Sequence, residues 1–273
     1  AAEASLLTGA FPEDHRHLIA RDKVEVESLL EGMKKQKKTL MIVDGSGGKL
    51  QSFARGEKEY IKLDADCEDG KVIQQAIKSF KENKPFFTYI YLNDCKNALF
   101  SLDEKAYYES VKKCDDSLGY LINFLRKQEL YYNSLIILTS ARSSSPSNFV
   151  PLIMHGPGCK IGSKITGSMV IDIAPTVCRV VGLDKLYGTR GIPIYEALDI
   201  AEDENLFVLN SCISELKKSR IYSWNKYFDT QDELYSAIRQ IGSIKEERQS
   251  IFDFAGEREQ VINRLKTRLN LER

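Results

Sequence analysis

Long hydrophobic runs are missing from this sequence. No apolar stretch approaches the ~20 residues that a membrane-spanning helix needs. The longest, PFFTYIYL at 85–92 and SLIILTS at 134–140, have the length of buried strands. A helical membrane span is therefore excluded. An excess of either charge is missing too: 39 Lys and Arg balance 39 Asp and Glu. A dedicated nucleic-acid binder would carry a basic excess, so no nucleic-acid partner is expected. The one basic cluster, KKQKK at 34–38, reads as a solvated helix end. There is no Cys-x-x-Cys among Cys67, Cys95, Cys114, Cys159, Cys178 and Cys212. Their spacing suggests neither a zinc site nor a small disulfide scaffold. Cys114 and Cys178 lie in helical patterns and read as small buried hydrophobes. This usage favours a reducing compartment, and the cytoplasm is the expected location. The chain opens AAEASLL without Met and reads as an excerpt, which leaves an extracytoplasmic location open.

What is present is ordinary for a soluble globular protein: 42% hydrophobic and 29% charged residues over 273 positions. Apolar runs alternate with amphipathic stretches. TLMIVDG (39–45) reads as a strand ending in a Gly-rich turn. GKVIQQAIKSFKEN (70–83) has Val72, Ile73, Ala76, Ile77 and Phe80 at helical spacing. PFFTYIYLND is a strand, and 107–130 is a long amphipathic helix. NSLIILTS and VPLIM are strands again. DIAPTVCRVVGL (172–183) is a helix with an early Pro and a closing Gly. Such alternation favours a mostly parallel sheet with helices on both faces. Near-continuous apolar strands agree, because such a sheet is buried on both sides. After about residue 200 the texture changes. NLFVLNS and SRIYSWNKYF read as strands of a smaller αβ unit. The tail EREQVINRLKTRLNLER reads as a charged helix with Val261, Ile262, Leu265 and Leu269 on one face. The expected organisation is a core over 1–200 and a C-terminal subdomain over 201–273.

Four stretches, in order, carry a resemblance. ASLLTGAFPEDH (4–15) looks like xSLLTGxxPxxHG. The stretch 107–140 looks like the helix and strand that lead into TSDHG. VPLIMHGPGCKIG with VIDIAPTVCRVVGL looks like VPLIIxGPGxxxG with DIAPTLLxLAGI. DELYSAIRQIGSIKEERQSIF looks like ELYDLxxDPxExxNL. Together they resemble the alkaline-phosphatase superfamily, in its sulfatase and type I phosphodiesterase branches. The resemblance implies a three-layer α/β/α sandwich with a large, mostly parallel central sheet. It also implies a metal-dependent hydrolase of phosphate or sulfate esters, in which Asp and His hold divalent cations and a Ser, Thr or modified Cys attacks. The metal would depress the nucleophile's pKa and neutralise charge on the transferred group.

The residues depart from that pattern. The resemblance places the nucleophile just before Ala1, and the family's first strand, with an early metal-binding Asp, is not in the chain. Ser5 and Thr8 match packing positions of SLLTG. Where TSDHG has its Asp and His, this sequence has Ala141 and Arg142. Ala has no ligand atom, and a permanently cationic Arg repels a metal. Asp94 follows a strand but lacks the His that relatives place nearby. Asp44, in DGSGGK, and His155, in MHGPG, are the other candidate ligands, each with a turn or loop role as the simpler reading. DGSGGK also lacks the Walker spacing. His15 matches a rim His of the family and is expected to support rather than ligate; His17 lies beside it. Asp115 and Gly119 match a family Asp and Gly in the long helix, and Asp115 is read as structural. Three histidines are a thin supply for a two-metal hydrolase.

Three functions stand as expectations. The first is a non-catalytic sulfatase- or phosphodiesterase-like domain with a degenerate metal site and no cofactor. It would bind an anionic small molecule or a protein partner, with Arg142, Ser143, Ser144 and Ser145 as the anion cradle. The second is a divergent hydrolase using Zn, Mn or Ca, with a nucleophile upstream of Ala1. The third is a structural or oligomerisation module with the charged C-terminal helix as its contact element.

Overall fold

The computed structural model describes residues 2–16, 24–54, 60–100, 103–141, 149–165, 167–199 and 204–271. The elements run α1 (Ala2–Thr8), α2 (Pro12–His15), α3 (Leu29–Lys35), β1 (Leu40–Asp44), β2 (Tyr60–Lys62), α4 (Asp69–Asn83), β3 (Phe87–Tyr91), α5 (Asp94–Phe100), α6 (Glu104–Lys127), β4 (Ile136–Thr139), β5 (Leu152–His155), α7 (Ile173–Val181) and α8 (Glu204–Leu271).

β1 is the centre of a parallel sheet ordered β2-β1-β3. Every residue of β1 is buried, as its unbroken apolar sequence requires. Its register sets Val43 opposite Ile61 and Ile90, and Asp44 opposite Lys62 and Tyr91. Successive side chains point to opposite faces. Leu40 and Ile42 pack with Leu7 of α1, Leu30 and Met33 of α3, and Val177 of α7. Met41 and Val43 pack with Val72 and Ala76 of α4. Helices therefore cover both faces of the sheet. Burying one such Leu or Ile side chain stabilises the fold by roughly 1.5–3 kcal/mol. β4 and β5 form a separate antiparallel pair, with Ile136 opposite His155 and Thr139 opposite Leu152.

Local chemistry explains the helix ends. Ser28 and Glu31 form a reciprocal capping box at α3: Glu31 N donates to Ser28 Oγ at 3.3 Å, and Ser28 N donates to Glu31 Oε2 at 2.8 Å. The KKQKK cluster spans the C-terminal end of α3, as expected. Asp103 caps α6 by accepting from Lys105 N and Ala106 N. Gly9 ends α1 with φ of +66°, and its carbonyl accepts from Arg190 N, Gly191 N and the Thr189 hydroxyl. A Cβ at Gly9 would run into Thr189 and Ile171, so this close crossing of two distant segments needs glycine.

The alternating α/β class and the parallel core sheet expected from the sequence are present, with three strands in that sheet among the described residues. The C-terminal region differs from expectation. The chain divides into two compact units, Ala1–Cys212 and Ile213–Arg273. NLFVLNS and SRIYSWNKYF are not strands; both lie within α8, one helix of 68 residues. Their apolar residues belong to a helical period that a seven-residue window does not reveal. No helix among the described residues is long and apolar enough to cross a membrane.

Candidate functional site

In a parallel α/β sheet, binding groups gather beyond the C-terminal ends of the strands. Asp44 ends β1 there and is fully buried. Its Oδ1 accepts from Ser46 N at 2.9 Å and from the Ser46 hydroxyl. Its Oδ2 accepts from Leu50 N at 3.0 Å and from the Tyr60 hydroxyl at 2.8 Å. A carboxylate offers about four lone-pair sites, and all of them are occupied. Asp44 therefore folds its own turn, and no acceptor position remains for a metal. Burial and the hydrogen bond to Asp44 push the Tyr60 phenol well above its ordinary range, so Tyr60 stays a donor. The rest of DGSGGK is closed on itself as well. Lys49 N donates to Ser46 Oγ at 3.0 Å, and Gly45 N donates to Tyr91 O at 3.1 Å. The backbone N–H groups a phosphate cradle would need are in large part already used. Lys49 Nζ donates to Tyr91 Oη, which donates to Glu3 Oε1, each at 3.4 Å.

Asp94 sits just after β3, at the start of α5. Its Oδ2 accepts from Asp69 N at 3.0 Å, while Asp69 Oδ1 accepts from Asp94 N at 3.2 Å and Asn93 N at 2.8 Å. The two aspartates thus tie the N-termini of α4 and α5 together. Asn93, also buried, donates to Ala65 O and Asn97 Oδ1. Asp69 Oδ2 is buried with no hydrogen-bond partner. Burial raises the Asp69 carboxyl above its ordinary pKa, partly opposed by the Asn93 and Asp94 amides. Beside this knot the thiols of Cys95 and Cys114 are hydrogen-bonded to each other. That bond, with help from Ser110, lowers Cys95 to about 7 against burial and the Asp69 and Asp94 charges. The Cys114 thiol is pushed far up by the same bond and by burial. Asp69, Asn93 and the thiol pair were not singled out from the sequence. An Asp opening a helix after an acidic turn was the available signal for Asp69.

β4 ends at Thr139 and runs through Ser140 to Ala141, whose methyl side chain carries no ligand atom. Arg142, Ser143, Ser144 and Ser145 lie outside the described residues, as does His17. His155 lies at the other end of the β4–β5 pair, opposite Ile136. Three residues of strand separate it from Thr139, roughly 10 Å. Its ring stacks on Tyr131 at 4.4 Å, Arg126 lies over the Tyr131 ring at 4.7 Å, and His155 Nε2 is buried without a hydrogen-bond partner. His155 and Ala141 are thus kept apart. His15 is buried and its Nε2 lies 3.1 Å from Ser5 Oγ, which joins α2 to α1. Asp115 is exposed on α6.

The divalent metal implied by the resemblance does not fit these residues. Asp44 is saturated, the Asp94 carboxylate holds Asp69 N, and His155 is remote from the end of β4. Among the described residues, no group of three or more His, Cys, Asp or Glu side chains is placed to hold a metal ion.

No family model matches the chain. No curated protein matches it either. Solved structures do match. A phosphonate monoester hydrolase, SpPMH from Silicibacter pomeroyi, superimposes with a TM-score of 0.51 at 14% identity, covering 71% of this chain and 66% of that one. Ps i-CgsB superimposes with a TM-score of 0.47 at 16% identity, covering 67% of this chain and 61% of that one. The chain thus spans under two thirds of the length of either protein. The fold of this chain is an α/β fold similar to that of alkaline-phosphatase-like hydrolases.

Proposed function

We propose that this chain is a sulfatase- or phosphodiesterase-like domain with a degenerate metal site, and that it binds an anionic small molecule instead of hydrolysing an ester. The observation that carries this reading is the end of β4. There the sequence has Ala141-Arg142 in place of an Asp-His pair. The saturated carboxylate of Asp44 supports it, since a strand-end aspartate already committed to four donors cannot replace the lost ligands. Arg142 with Ser143 and Ser144 supplies a cationic fork and hydroxyl donors, which suit sulfate or phosphate oxygens.

Calorimetric titration of the full chain with inorganic sulfate and phosphate tests this. Saturable binding is expected, and Arg142→Ala is expected to weaken it at least tenfold. Unchanged binding in Arg142→Ala would remove the anion site from this loop. Elemental analysis of the same protein is expected to find no stoichiometric Zn, Mn or Ca. Stoichiometric metal, with chelator-sensitive release of p-nitrophenol from a phosphate or sulfate ester, would replace this reading with that of a divergent hydrolase.

A further inference from the structure

One pair of nucleophilic side chains has no part in the anion site proposed above: Cys95 in α5 and Cys114 in α6. Their thiols touch through a hydrogen bond in which Cys114 is the donor. Both residues are partly exposed, so small solutes reach them. The contacts around the pair fix it in place. Asp94 and Asp69 each accept the other's backbone N–H, which holds the start of α5 to the start of α4. α6 runs along the same helix: Ser117 faces Gly70, and Phe124 meets Phe80 edge to face at 5.9 Å. Ser110, one turn before Cys114 on the same face of α6, is buried and hydrogen-bonded to Cys95. Both sulfurs are thus set side by side by packing, with no covalent bond needed to bring them together. We infer that Cys95 and Cys114 form a redox modification site, which a peroxide closes reversibly to a disulfide.

Geometry and reactivity agree. Thiols already in contact need only small side-chain rotations to reach the ~2 Å separation of a disulfide. The thiolate is the reactive form of cysteine. The hydrogen bond from Cys114, helped by Ser110, lowers Cys95 to about 7 against burial, so Cys95 supplies thiolate at neutral pH. Cys67, Cys159 and Cys178 differ: burial raises each of them and keeps the thiol protonated. The Cys95 thiolate attacks one oxygen of hydrogen peroxide. The S–O bond forms, the O–O bond breaks and hydroxide leaves, which makes Cys95 a sulfenic acid. Cys114 Sγ then attacks Cys95 Sγ. The S–S bond forms, the S–O bond breaks, and the hydroxyl departs with the Cys114 proton as water. The first hydroxide takes the proton that Cys95 gave up on ionising. Two sulfurs have lost two electrons in all, and the peroxide has become two waters. The disulfide closes residues 96–113 into a loop and ties α5 to α6. A loop of that size stabilises the fold mainly by restricting the unfolded chain. This inference stands independently of the anion-binding reading.

Treatment of the reduced full chain with a small excess of hydrogen peroxide, followed by mass spectrometry, tests it. The intact mass is expected to fall by two hydrogens, and two of the six thiols are expected to be lost. Peptides holding Cys95 and Cys114 are expected to be cross-linked, and dithiothreitol is expected to reverse the change. Cys114→Ser is expected to halt the reaction at the Cys95 sulfenic acid, captured by dimedone. Cys67→Ser is expected to leave the cross-link as it is. A second measurement needs no variant. The oxidised wild type is expected to melt roughly 5–10 °C above the reduced wild type. A folded wild type that keeps all its thiols under peroxide, a cross-link that joins a different pair, or a disulfide that lowers the melting temperature would each overturn the proposal.

Discussion

The turn after β1 and the knot joining α4 to α5 are both built around buried aspartates, yet the two carboxylates are used differently. Asp44 accepts four hydrogen bonds, two on each oxygen. Asp69 accepts two on Oδ1, while its buried Oδ2 has none. The difference shows why an aspartate near a strand end is not by itself a ligand. Asp44 stabilises the fold through both of its oxygens. Asp69 is held in place by one oxygen and carries the cost of burying the other.

The largest expected effect comes from the saturated carboxylate. Asp44→Ala should cost about 3–5 kcal/mol, since buried donors lose their acceptor together. Urea unfolding would read this as a lowered midpoint at unchanged slope. A loss under about 1 kcal/mol would mean that the turn holds without the carboxylate, and the contrast with Asp69 would collapse. Tyr60→Phe removes one of the four donors and leaves the other three. About 1 kcal/mol is expected, and a loss as large as that of Asp44→Ala would assign the effect to packing of the ring instead.

Asp69→Asn should have the smallest effect at neutral pH and the most telling pH dependence. The folded-state pKa of Asp69 is raised, chiefly by burial. A raised pKa contributes stability that is complete below the unfolded value and is lost as pH rises through the folded value. The wild type should therefore gain stability relative to Asp69→Asn as pH falls from 7 toward the ordinary carboxylate range. At pH 7 the variant keeps an acceptor for Asn93 N and Asp94 N and should match or exceed the wild type. A loss of about 2 kcal/mol or more at pH 7 would show that Asp69 is needed as an anion.

Much of the fold was legible in the residues. LMIVD reads as a strand buried on both sides, and it is one. Val72, Ile73, Ala76 and Ile77 were placed on one helix face and are buried there. These assignments depend on periods within a single element, which local sequence carries in full. NLFVLNS and SRIYSWNKYF misled because their aromatic and aliphatic residues suit a strand over seven positions. Only a register followed along the whole of α8 assigns them to a helix. The candidate site was less legible. Whether Asp44 retains capacity for a ligand depends on Tyr60, which arrives from the next strand. The hydrogen bond between Cys95 and Cys114 depends on how α5 packs against α6.

By itself the sequence determined the alternation of strands and helices, the balance of charge and the presence of Ala141 and Arg142 just after the strand that ends at Thr139. These are properties of residue identity and spacing, and no partner is needed to read them. Tertiary structure decided which aspartate is saturated, which keeps a bare oxygen, and that His155 stands at the far end of its strand pair from Ala141. Those outcomes depend on groups distant in sequence filling, or failing to fill, a small number of lone pairs in a space from which water is excluded.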